Sequence, residues 1–283
     1  MLKGEIVYIM QRKAAVINDF ASYGRCSLAV AIPILSAMRI QCCAVPTAIF
    51  TNHTGFPSFS WTDYTDHMDD YIREWKKLNL HFNAIQSGFL GSKAQIDYVL
   101  RFVEAFKEKE TIVAIDPVMG DYGRLYSTYD EELAKGMRRL LNVADVLTPN
   151  LTEACVLADV DYDPEMSDEN LVKIARALSE PNGAKVAITG LQRAGALMNF
   201  VWERGKTPFA HCEDKIGEDR SGTGDVFSSV VLGDMVNGAS FPDSVVKASR
   251  FVASAVKRSA KLGIDVRAGL AIEEVLGELI RRV

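Results

Sequence analysis

The chain has 283 residues and a formal net charge of −5, with 48% hydrophobic and 24% charged residues. This composition is close to that of an ordinary globular protein, and it excludes intrinsic disorder, a collagen-like repeat and a small disulfide-stapled protein. A mildly acidic chain has no overall electrostatic attraction to nucleic acid or to an anionic membrane, so we expect neither as a partner.

The cysteines and the N-terminal segment favour a cytoplasmic protein. The five cysteines form no CxxC pair, and an odd, scattered set predicts reduced thiols rather than a disulfide framework or a zinc site. Charges at Lys3 and Glu5 interrupt the apolar stretch over residues 1–13, which is unlike a signal peptide. The longest apolar run, residues 28–35, is far too short to span a bilayer.

Short apolar runs alternate with segments of helical periodicity along most of the chain. In chain order, the pattern predicts strands at 14–17 and 43–50, helices at 64–78 and 96–106, strands at 111–115 and 144–147, a helix at 171–178 and a strand at 185–188. Ser92 and Gln95 predict a capping box before the second of these helices. Such alternation indicates βαβ units and one mainly parallel sheet covered by helices on both faces.

The last third of the sequence is predicted to be mostly helical. Two short strands, 196–202 and 208–211, precede helices at 225–236, 244–259 and 271–280. No change in composition marks a second domain, so we expect a single domain over residues 1–283 with small excursions near 50–60 and 195–212. Ligands of open α/β sheets bind at the carboxyl ends of the strands, where we therefore look for polar loops.

Three polar loops follow predicted strands. Residues 50–56 combine His53 with hydroxyls and aromatic rings, which suits a small polar or aromatic ligand, although a lone loop histidine is more often structural. Asp116 begins an Asp-Pro-Val-Met-Gly-Asp loop and can face a ligand or metal, although Pro and Gly can also simply make a turn. Asn150 and Glu153 can hold a hydrated magnesium ion, although the same spacing is that of a capping box.

The sharpest motif is Ser-Gly-Thr-Gly-Asp at residues 221–225, directly before an apolar helix. Free backbone N–H groups at a helix N-terminus attract anions, and the glycines let a phosphate approach the backbone. The alternative interpretation is that Thr223 or Asp225 only caps the helix. No Walker A sequence occurs in the chain, and no GxGxxG follows the first strand, which argues against a dinucleotide-dependent oxidoreductase.

The order of these motifs resembles that of the ribokinase-like superfamily and, within it, of the pyridoxal kinases. The resemblance rests on Thr-Asn-His-Thr at 51–54, Ser-Gly-Phe-Leu-Gly-Ser at 87–92, the loops at 116–121 and 148–153, and Gly-Thr-Gly-Asp at 222–225. It implies a ribokinase-like three-layer αβα sandwich around a mainly parallel central sheet. It also implies transfer of the γ-phosphoryl group of ATP to the 5′-hydroxymethyl group of pyridoxal, pyridoxine or pyridoxamine, forming pyridoxal 5′-phosphate in vitamin B6 salvage.

The resemblance also implies roles for individual residues. Asp225 matches the catalytic base, and the N–H groups of Gly222, Thr223 and Gly224 form the anion hole. We expect the helix N-terminus to keep Asp225 ionised. The residues implied to bind ATP are Asp116, Asp121, Tyr126, Asn150, Glu153 and Thr189, with Asp116 and Glu153 also serving magnesium. The residues implied to bind the vitamer are Asp19, His53, Thr54 and Phe89.

Two departures from the pyridoxal kinase pattern leave the substrate open. Asp19 stands where these kinases carry Ser, and its carboxylate can pair with a protonated ring nitrogen. An acidic residue here also resembles hydroxymethylpyrimidine kinases, so such a kinase, or an enzyme with both activities, is the alternative. Phe89 stands where they often carry Tyr, so the ring remains without its hydroxyl. A sugar kinase and an inactive ligand-binding relative are further alternatives, and intact Asp225 and Glu153 argue against the latter.

The resemblance further implies a homodimer and a monovalent cation such as K⁺ near the ATP site. The polar segments 120–130 and 212–221 are candidates for a loop that closes over the substrate. Arg124 and Arg220 can add positive charge near phosphate, or can be solvated surface side chains.

Overall fold

A computed structural model describes residues 11–280 of the chain. Of the N-terminal stretch discussed above, residues 1–10 lie outside the described part of the chain. The strands are β1 (Arg12–Ala21), β2 (Ile40–Phe50), β3 (Trp61–Asp63), β4 (Ala84–Ser87), β5 (Ile112–Ile115), β6 (Gly120–Asp121), β7 (Arg124–Leu125), β8 (Val146–Leu147), β9 (Lys185–Arg193), β10 (Ala196–Trp202) and β11 (Phe209–Asp214).

Nine of these strands form one sheet in the described part of the chain, in the order β11-β10-β9-β8-β5-β4-β1-β2-β3. The six central strands from β9 to β2 are parallel, whereas β3, β10 and β11 pair antiparallel at the two sides. Strands β6 and β7 make a separate small hairpin. The predicted fold class, a mainly parallel central sheet with helices on both faces, is confirmed.

The helices are α1 (Leu28–Ala37), α2 (Thr65–Lys77), α3 (Lys93–Phe106), α4 (Glu131–Gly136), α5 (Leu151–Ala158), α6 (Asp168–Ser179), α7 (Thr223–Val236) and α8 (Phe241–Lys261). Short 3₁₀ segments lie at Met137–Asn142, Val266–Ala268, Ile272–Glu274 and Leu276–Leu279. Within residues 11–280, none of the helices combines the length and apolar character that crossing a membrane requires.

Both faces of the sheet are buried, and β1 shows why. Its side chains alternate, so that Ala15 and Ile17 join the core under α3, α5 and α6, while Ala14 and Val16 join the core under α1, α7 and α8. All four are fully buried. A strand covered on both faces must be apolar at every position, which is why the strands read as continuous apolar runs.

Two local predictions differ from the structure. The predicted helix 271–280 is wrong: the segment forms two 3₁₀ turns, Ile272–Glu274 and Leu276–Leu279, whose N–H groups bond three residues back. The second turn contains Gly277, a weak helix former. The capping box before α3 is only half formed. Ser92 accepts from the N–H of Gln95, but the buried Gln95 side chain accepts from Gly91 and donates to Thr47 on β2. Strand β4 was not predicted because its four residues include Gln and Ser.

The parallel arrangement places the carboxyl ends of β1, β2, β4, β5 and β8 along one edge of the sheet. The loops that follow these strands contain the polar residues singled out from the sequence. The N-terminus of α7 lies at the same edge, because Arg25, which follows β1, contacts Gly222. The fold thus gathers residues distant in the chain into one candidate site.

Candidate active site

Asp225 lies in the first turn of α7, where two neighbouring groups hold its carboxylate. The side-chain amide of Asn18 donates to Oδ1 of Asp225 at 3.1 Å, and the backbone N–H of Ser27 lies near enough to favour the charged form of the same carboxylate. Burial raises the pKa of Asp225, whereas Ser27, Asn18 and the nearby His53 lower it in part. The desolvation cost of the buried carboxylate thus outweighs these favourable contacts, and the expectation that the helix N-terminus keeps Asp225 ionised stays a prediction.

The turn before α7 leaves backbone donors open. Gly222 occupies the N-cap position with φ 81°, and a Cβ there would lie 2.0 Å from the carbonyl oxygen of Arg25, so only glycine fits. The hydroxyl of Thr223 donates to the carbonyl of Arg220 rather than to its own helix, and Gly222 has no side chain with which to cap. The interpretation of this motif as a mere helix cap is therefore wrong. The first N–H groups of α7 remain available to an anion.

Asp116 and Glu153 form a buried pair of carboxylates beside this turn. Asp116 directly follows β5, and burial raises its pKa to about 7, with the charge of Asp225 adding to the rise. Burial also raises the pKa of Glu153, and the neighbouring charge of Asp116 raises it further. Two carboxyl groups that disfavour each other's ionisation would both gain from a cation placed between them.

The chemistry of this pair fits a magnesium ion held mainly through water. Both oxygens of Glu153 already accept backbone hydrogen bonds, from Met119 at 3.2 Å and from Asn150 at 2.8 Å. The capping box of Asn150 and Glu153 is thus real, and it fixes the Glu153 carboxylate. No group of three His, Cys, Asp or Glu side chains within residues 11–280 is arranged to bind a metal directly. Magnesium commonly keeps several waters and binds substrate phosphates besides one or two carboxylates.

The other residues predicted to contact ATP lie around this pair. Burial raises the pKa of Tyr126, and the charges of Glu153 and Asp121 raise it further. Asp121 is exposed on β6 and accepts from the N–H of Tyr122. Thr189 lies within β9 and pairs with Asn150, with its N–H donating to the carbonyl of Pro149 at 2.9 Å. The structure thus brings Asp121, Tyr126 and Thr189, together with Asn150, close to the pair of Asp116 and Glu153.

The predicted substrate residues lie toward the carboxyl end of β1 and in the loops after β2 and β4. Asp19 at the end of β1 is buried and accepts a hydrogen bond from the hydroxyl of Ser27. Burial raises the pKa of Asp19 to about 7, with Ser27 lowering it and the charge of Asp225 raising it in part. Phe89 is also buried, with its ring edge-on to Phe50 at a centroid distance of 6.0 Å. The result is an apolar wall beside a buried carboxyl group.

His53 is fixed by both of its ring nitrogens. The N–H of Gly55 donates to Nδ1 at 3.1 Å, so Nδ1 is the acceptor and Nε2 donates to the carbonyl of Arg267 at 2.7 Å. The ring packs against Phe56 at 4.7 Å, and Thr54 lies partly buried in the same loop. His53 therefore joins the loop after β2 to the 3₁₀ segment Val266–Ala268, and both of its ring nitrogens already make hydrogen bonds.

Sequence reasoning did not identify Asn18 and Ser27 as site residues. Asn18 is buried at the end of an otherwise apolar strand, and this was the available signal. Ser27 has φ 52° and ψ −134°, a conformation that side chains rarely adopt and that often marks a functional site. Arg220 is not a solvated surface side chain, since its guanidinium donates to the carbonyl of Ile264 at 2.9 Å.

The two segments predicted as candidate lids contact each other. The hydroxyl of Tyr122, between β6 and β7, donates to the carboxylate of Asp219, and the side-chain amide of Gln192 donates to the same hydroxyl at 3.3 Å. Lys215 forms an ion pair with Asp219 at 3.3 Å. All of these groups lie beside Asp121 and thus near the predicted ATP contacts.

Comparisons with known proteins identify the family and the fold of the chain. The family model described as phosphomethylpyrimidine kinase matches residues 32–269. A crystal structure with pyridoxal, of a Bacteroides thetaiotaomicron VPI-5482 protein assigned as a phosphomethylpyrimidine kinase, is similar at 37% identity and a TM-score of 0.93, covering 97% of each chain. Pyridoxal kinase from Lactobacillus plantarum is similar at 27% identity and a TM-score of 0.88, over 95% of this chain and 96% of that one. Pyridoxal kinase of Arabidopsis thaliana is 28% identical over 76% of this chain and 71% of its own length.

Proposed function

The chain belongs to the phosphomethylpyrimidine kinase family, and on that premise we propose that it is a pyridoxal kinase of the ribokinase-like superfamily. It transfers the γ-phosphoryl group of ATP to the 5′-hydroxymethyl group of pyridoxal, pyridoxine or pyridoxamine. The observation that carries the proposal is the placement of Asp225 in the first turn of α7, beside uncapped backbone N–H groups. A carboxylate next to an anion site is what transfer of a phosphoryl group to an alcohol requires.

Asp225 acts as the general base. A primary alcohol is a weak nucleophile, and a carboxylate within hydrogen-bond reach takes its proton as the oxygen attacks the phosphorus atom. The N–H groups of Gly222, Thr223 and Gly224 stabilise the negative charge on the phosphoryl oxygens during transfer. The pKa of Asp225 is raised by burial, which makes the carboxylate a stronger base than an exposed aspartate once it is ionised.

Asp116 and Glu153 hold magnesium in this proposal, with Asn150 fixing Glu153. When bound, the ion neutralises charge on the ATP phosphates and on the two carboxylates. Asp121, Tyr126 and Thr189 surround the nucleotide. Their convergence on the acidic pair supports this assignment. A monovalent cation such as K⁺ near the ATP site also belongs to the proposal, without assigned ligands.

Asp19, His53, Thr54 and Phe89 form the vitamer side of the site. Phe89 offers its apolar face to the pyridine ring, and Asp19 pairs with the protonated ring nitrogen. Such a pair satisfies a buried carboxyl group whose pKa of about 7 lets it ionise when a cation approaches. Because both nitrogens of His53 are engaged, this residue shapes the loop around the substrate.

A vitamin B6 substrate is favoured over a pyrimidine. The solved Bacteroides thetaiotaomicron relative contains pyridoxal, and the matched Arabidopsis thaliana and Lactobacillus plantarum relatives are named pyridoxal kinases. The proposal extends to one kinase domain over residues 1–283, acting in the cytoplasm as a homodimer.

The decisive experiment measures ADP release from Mg-ATP with several acceptors in parallel. Pyridoxal, pyridoxine, pyridoxamine, hydroxymethylpyrimidine and ribose are compared at equal concentration. We expect turnover with the three vitamers well above that with the pyrimidine or the sugar. Turnover confined to the pyrimidine would overturn the substrate, and no turnover with any acceptor would overturn the kinase.

A further inference from the structure

We propose that Asn18 is a positioning residue for the reaction, which fixes the carboxylate of Asp225 through a side-chain amide that is itself held in one orientation. This inference rests on the proposed kinase function and deepens it. Asn18 lies at the carboxyl end of β1 and its side chain is buried. A buried amide carries donors and an acceptor that need partners, so its orientation is set by the groups around it.

Two backbone N–H groups determine which way the amide points. Oδ1 of Asn18 accepts from the N–H of Phe89 at 2.8 Å and from the N–H of Asp19 at 3.0 Å. An amide nitrogen cannot accept these bonds, so the oxygen must face the two N–H groups and Nδ2 must face away from them. In that orientation Nδ2 donates to Oδ1 of Asp225 at 3.1 Å.

Gly88 makes this arrangement possible. A Cβ at residue 88 would lie 2.5 Å from the Cγ and Nδ2 atoms of Asn18, closer than any real contact allows. The N–H of Gly88 also donates to the carbonyl of Ile17 at 2.9 Å, which holds the end of β4 against β1. The absence of a side chain therefore lets the chain after β4 close over the Asn18 amide.

The same amide joins both halves of the site. Its oxygen accepts from the backbone N–H groups of Phe89 and Asp19, the two residues on the proposed vitamer side. Its nitrogen donates to Asp225, the proposed base. A base held against both substrate-side elements keeps a constant position relative to the attacking hydroxyl. Misplacement of a catalytic group by about 1 Å can cost about 100-fold in rate.

The test replaces Asn18 by its isosteric acid. Asn18→Asp keeps the size of the side chain and the acceptor for the N–H groups of Phe89 and Asp19, but it replaces the donor that lies 3.1 Å from Oδ1 of Asp225 by a carboxyl oxygen. This oxygen cannot hold an ionised Asp225 in place, because two carboxylates at this distance repel each other. We expect kcat for pyridoxal to fall about 10- to 100-fold, as is typical for partners that orient functional groups. The KM for ATP is expected to stay close to that of the unaltered protein, whereas the melting temperature falls because two buried carboxyl groups then face each other.

Asn83→Asp is the matched control. Asn83 directly precedes β4 and lies beside the opposite end of β1. Like Asn18, it accepts a backbone hydrogen bond through Oδ1, here from the N–H of Lys13 at 2.9 Å. We expect its kcat to be unchanged. If Asn18→Asp does not fold, Asn18→Ser serves instead, because its hydroxyl is too short to bridge to Asp225, and the same loss of kcat at an unchanged KM for ATP is expected.

Each outcome decides between the explanations. An unchanged kcat in folded Asn18→Asp or Asn18→Ser overturns the positioning role. A parallel loss of kcat, ATP affinity and melting temperature also overturns it, because such a pattern indicates a purely structural residue. Absence of pyridoxal turnover in the unaltered protein overturns the proposed function instead, and the inference falls with it.

Discussion

The hydroxyl of Ser27 donates a hydrogen bond to the carboxyl group of Asp19, joining the N-cap position of α1 to the end of β1. The backbone N–H of Ser27 also favours the charged form of Asp225 and lowers its pKa in part. One residue with a rarely adopted backbone conformation thus contacts the group proposed to recognise the vitamer and the group proposed to act as base. Strain of this kind costs about 1–3 kcal/mol and persists where the surrounding structure imposes it.

Replacement of Ser27 by Ala and by Gly separates these contributions. Both variants lose the hydroxyl, and since this hydrogen bond lowers the pKa of Asp19, both are expected to leave Asp19 less ionised near pH 7 and to raise the KM for pyridoxal. Only Gly relieves the positive φ, so Ser27→Gly should unfold at a higher temperature than Ser27→Ala. Equal melting temperatures in thermal unfolding would show that the conformation is not strained.

Asp19 should make the free protein less stable as the pH rises. Its pKa is about 7 in the folded state against an ordinary value of 3.8, so the folded state binds more protons between these values. Its stabilising contribution is complete below about pH 4 and is lost as the pH rises through about 7. Asp19→Asn is therefore expected to flatten the decline in the free energy of unfolding across this range, by up to about 1.4 kcal/mol per pH unit.

Urea unfolding at several pH values measures this effect. Asp161→Asn on the exposed surface serves as the control and should leave the slope unchanged. A slope that is identical in Asp19→Asn and the unaltered protein would contradict the buried, proton-binding state of Asp19.

The glycines before and within α7 are expected to respond differently to alanine. Gly222→Ala forces a Cβ to within 2.0 Å of the Arg25 carbonyl oxygen at a positive φ, so it should lower both the melting temperature and the activity. A Cβ on Gly224 meets no atom of the described residues within 4 Å. Gly224→Ala should therefore keep its melting temperature while losing activity about 100-fold, because the methyl group enters the space of the phosphoryl group.

Thermal unfolding and steady-state kinetics on both variants test this distinction. Full activity in Gly224→Ala would mean that no phosphate approaches this turn, which would contradict the proposed anion hole.

Tyr122→Phe should loosen the two loops beside the ATP site. The substitution keeps the ring but removes the hydroxyl that donates to Asp219 and accepts from Gln192. We expect faster hydrogen–deuterium exchange across residues 212–221 and a higher KM for ATP, with little change in melting temperature, because the lost contact is exposed. Unchanged exchange in this segment would show that the contact does not restrain it.

The positions of many candidate site residues were predictable because they lie in loops that follow strands. Short apolar runs ending in polar loops identified the loops at Asp116, Asn150 and His53, and the glycines identified the start of α7. Parallel strands bring such loops to one edge whatever their distance in the chain. The capping box of Asn150 and Glu153 was visible from spacing alone, since capping is a local interaction.

What the sequence could not provide depends on contacts between distant segments. The bond from Asn18 to Asp225 spans 207 positions, and no local pattern indicates it. The direction of the pKa shift of Asp225 also follows from its burial, which only the folded structure reveals. The segment 271–280 has an apolar spacing that suits a helix, yet Gly277 and packing against the core produce short 3₁₀ turns.

The most direct test of the account is a single-turnover reaction of pyridoxal and Mg-ATP with the unaltered protein and with Asp225→Asn, in which pyridoxal 5′-phosphate and ADP are quantified together. The account predicts equal amounts of both products from the unaltered protein. Asp225→Asn is expected to bind ATP normally but to react at least about 100-fold more slowly, since it lacks the general base. Near-normal formation of pyridoxal 5′-phosphate by Asp225→Asn, or ADP release without it by the unaltered protein, would contradict the account.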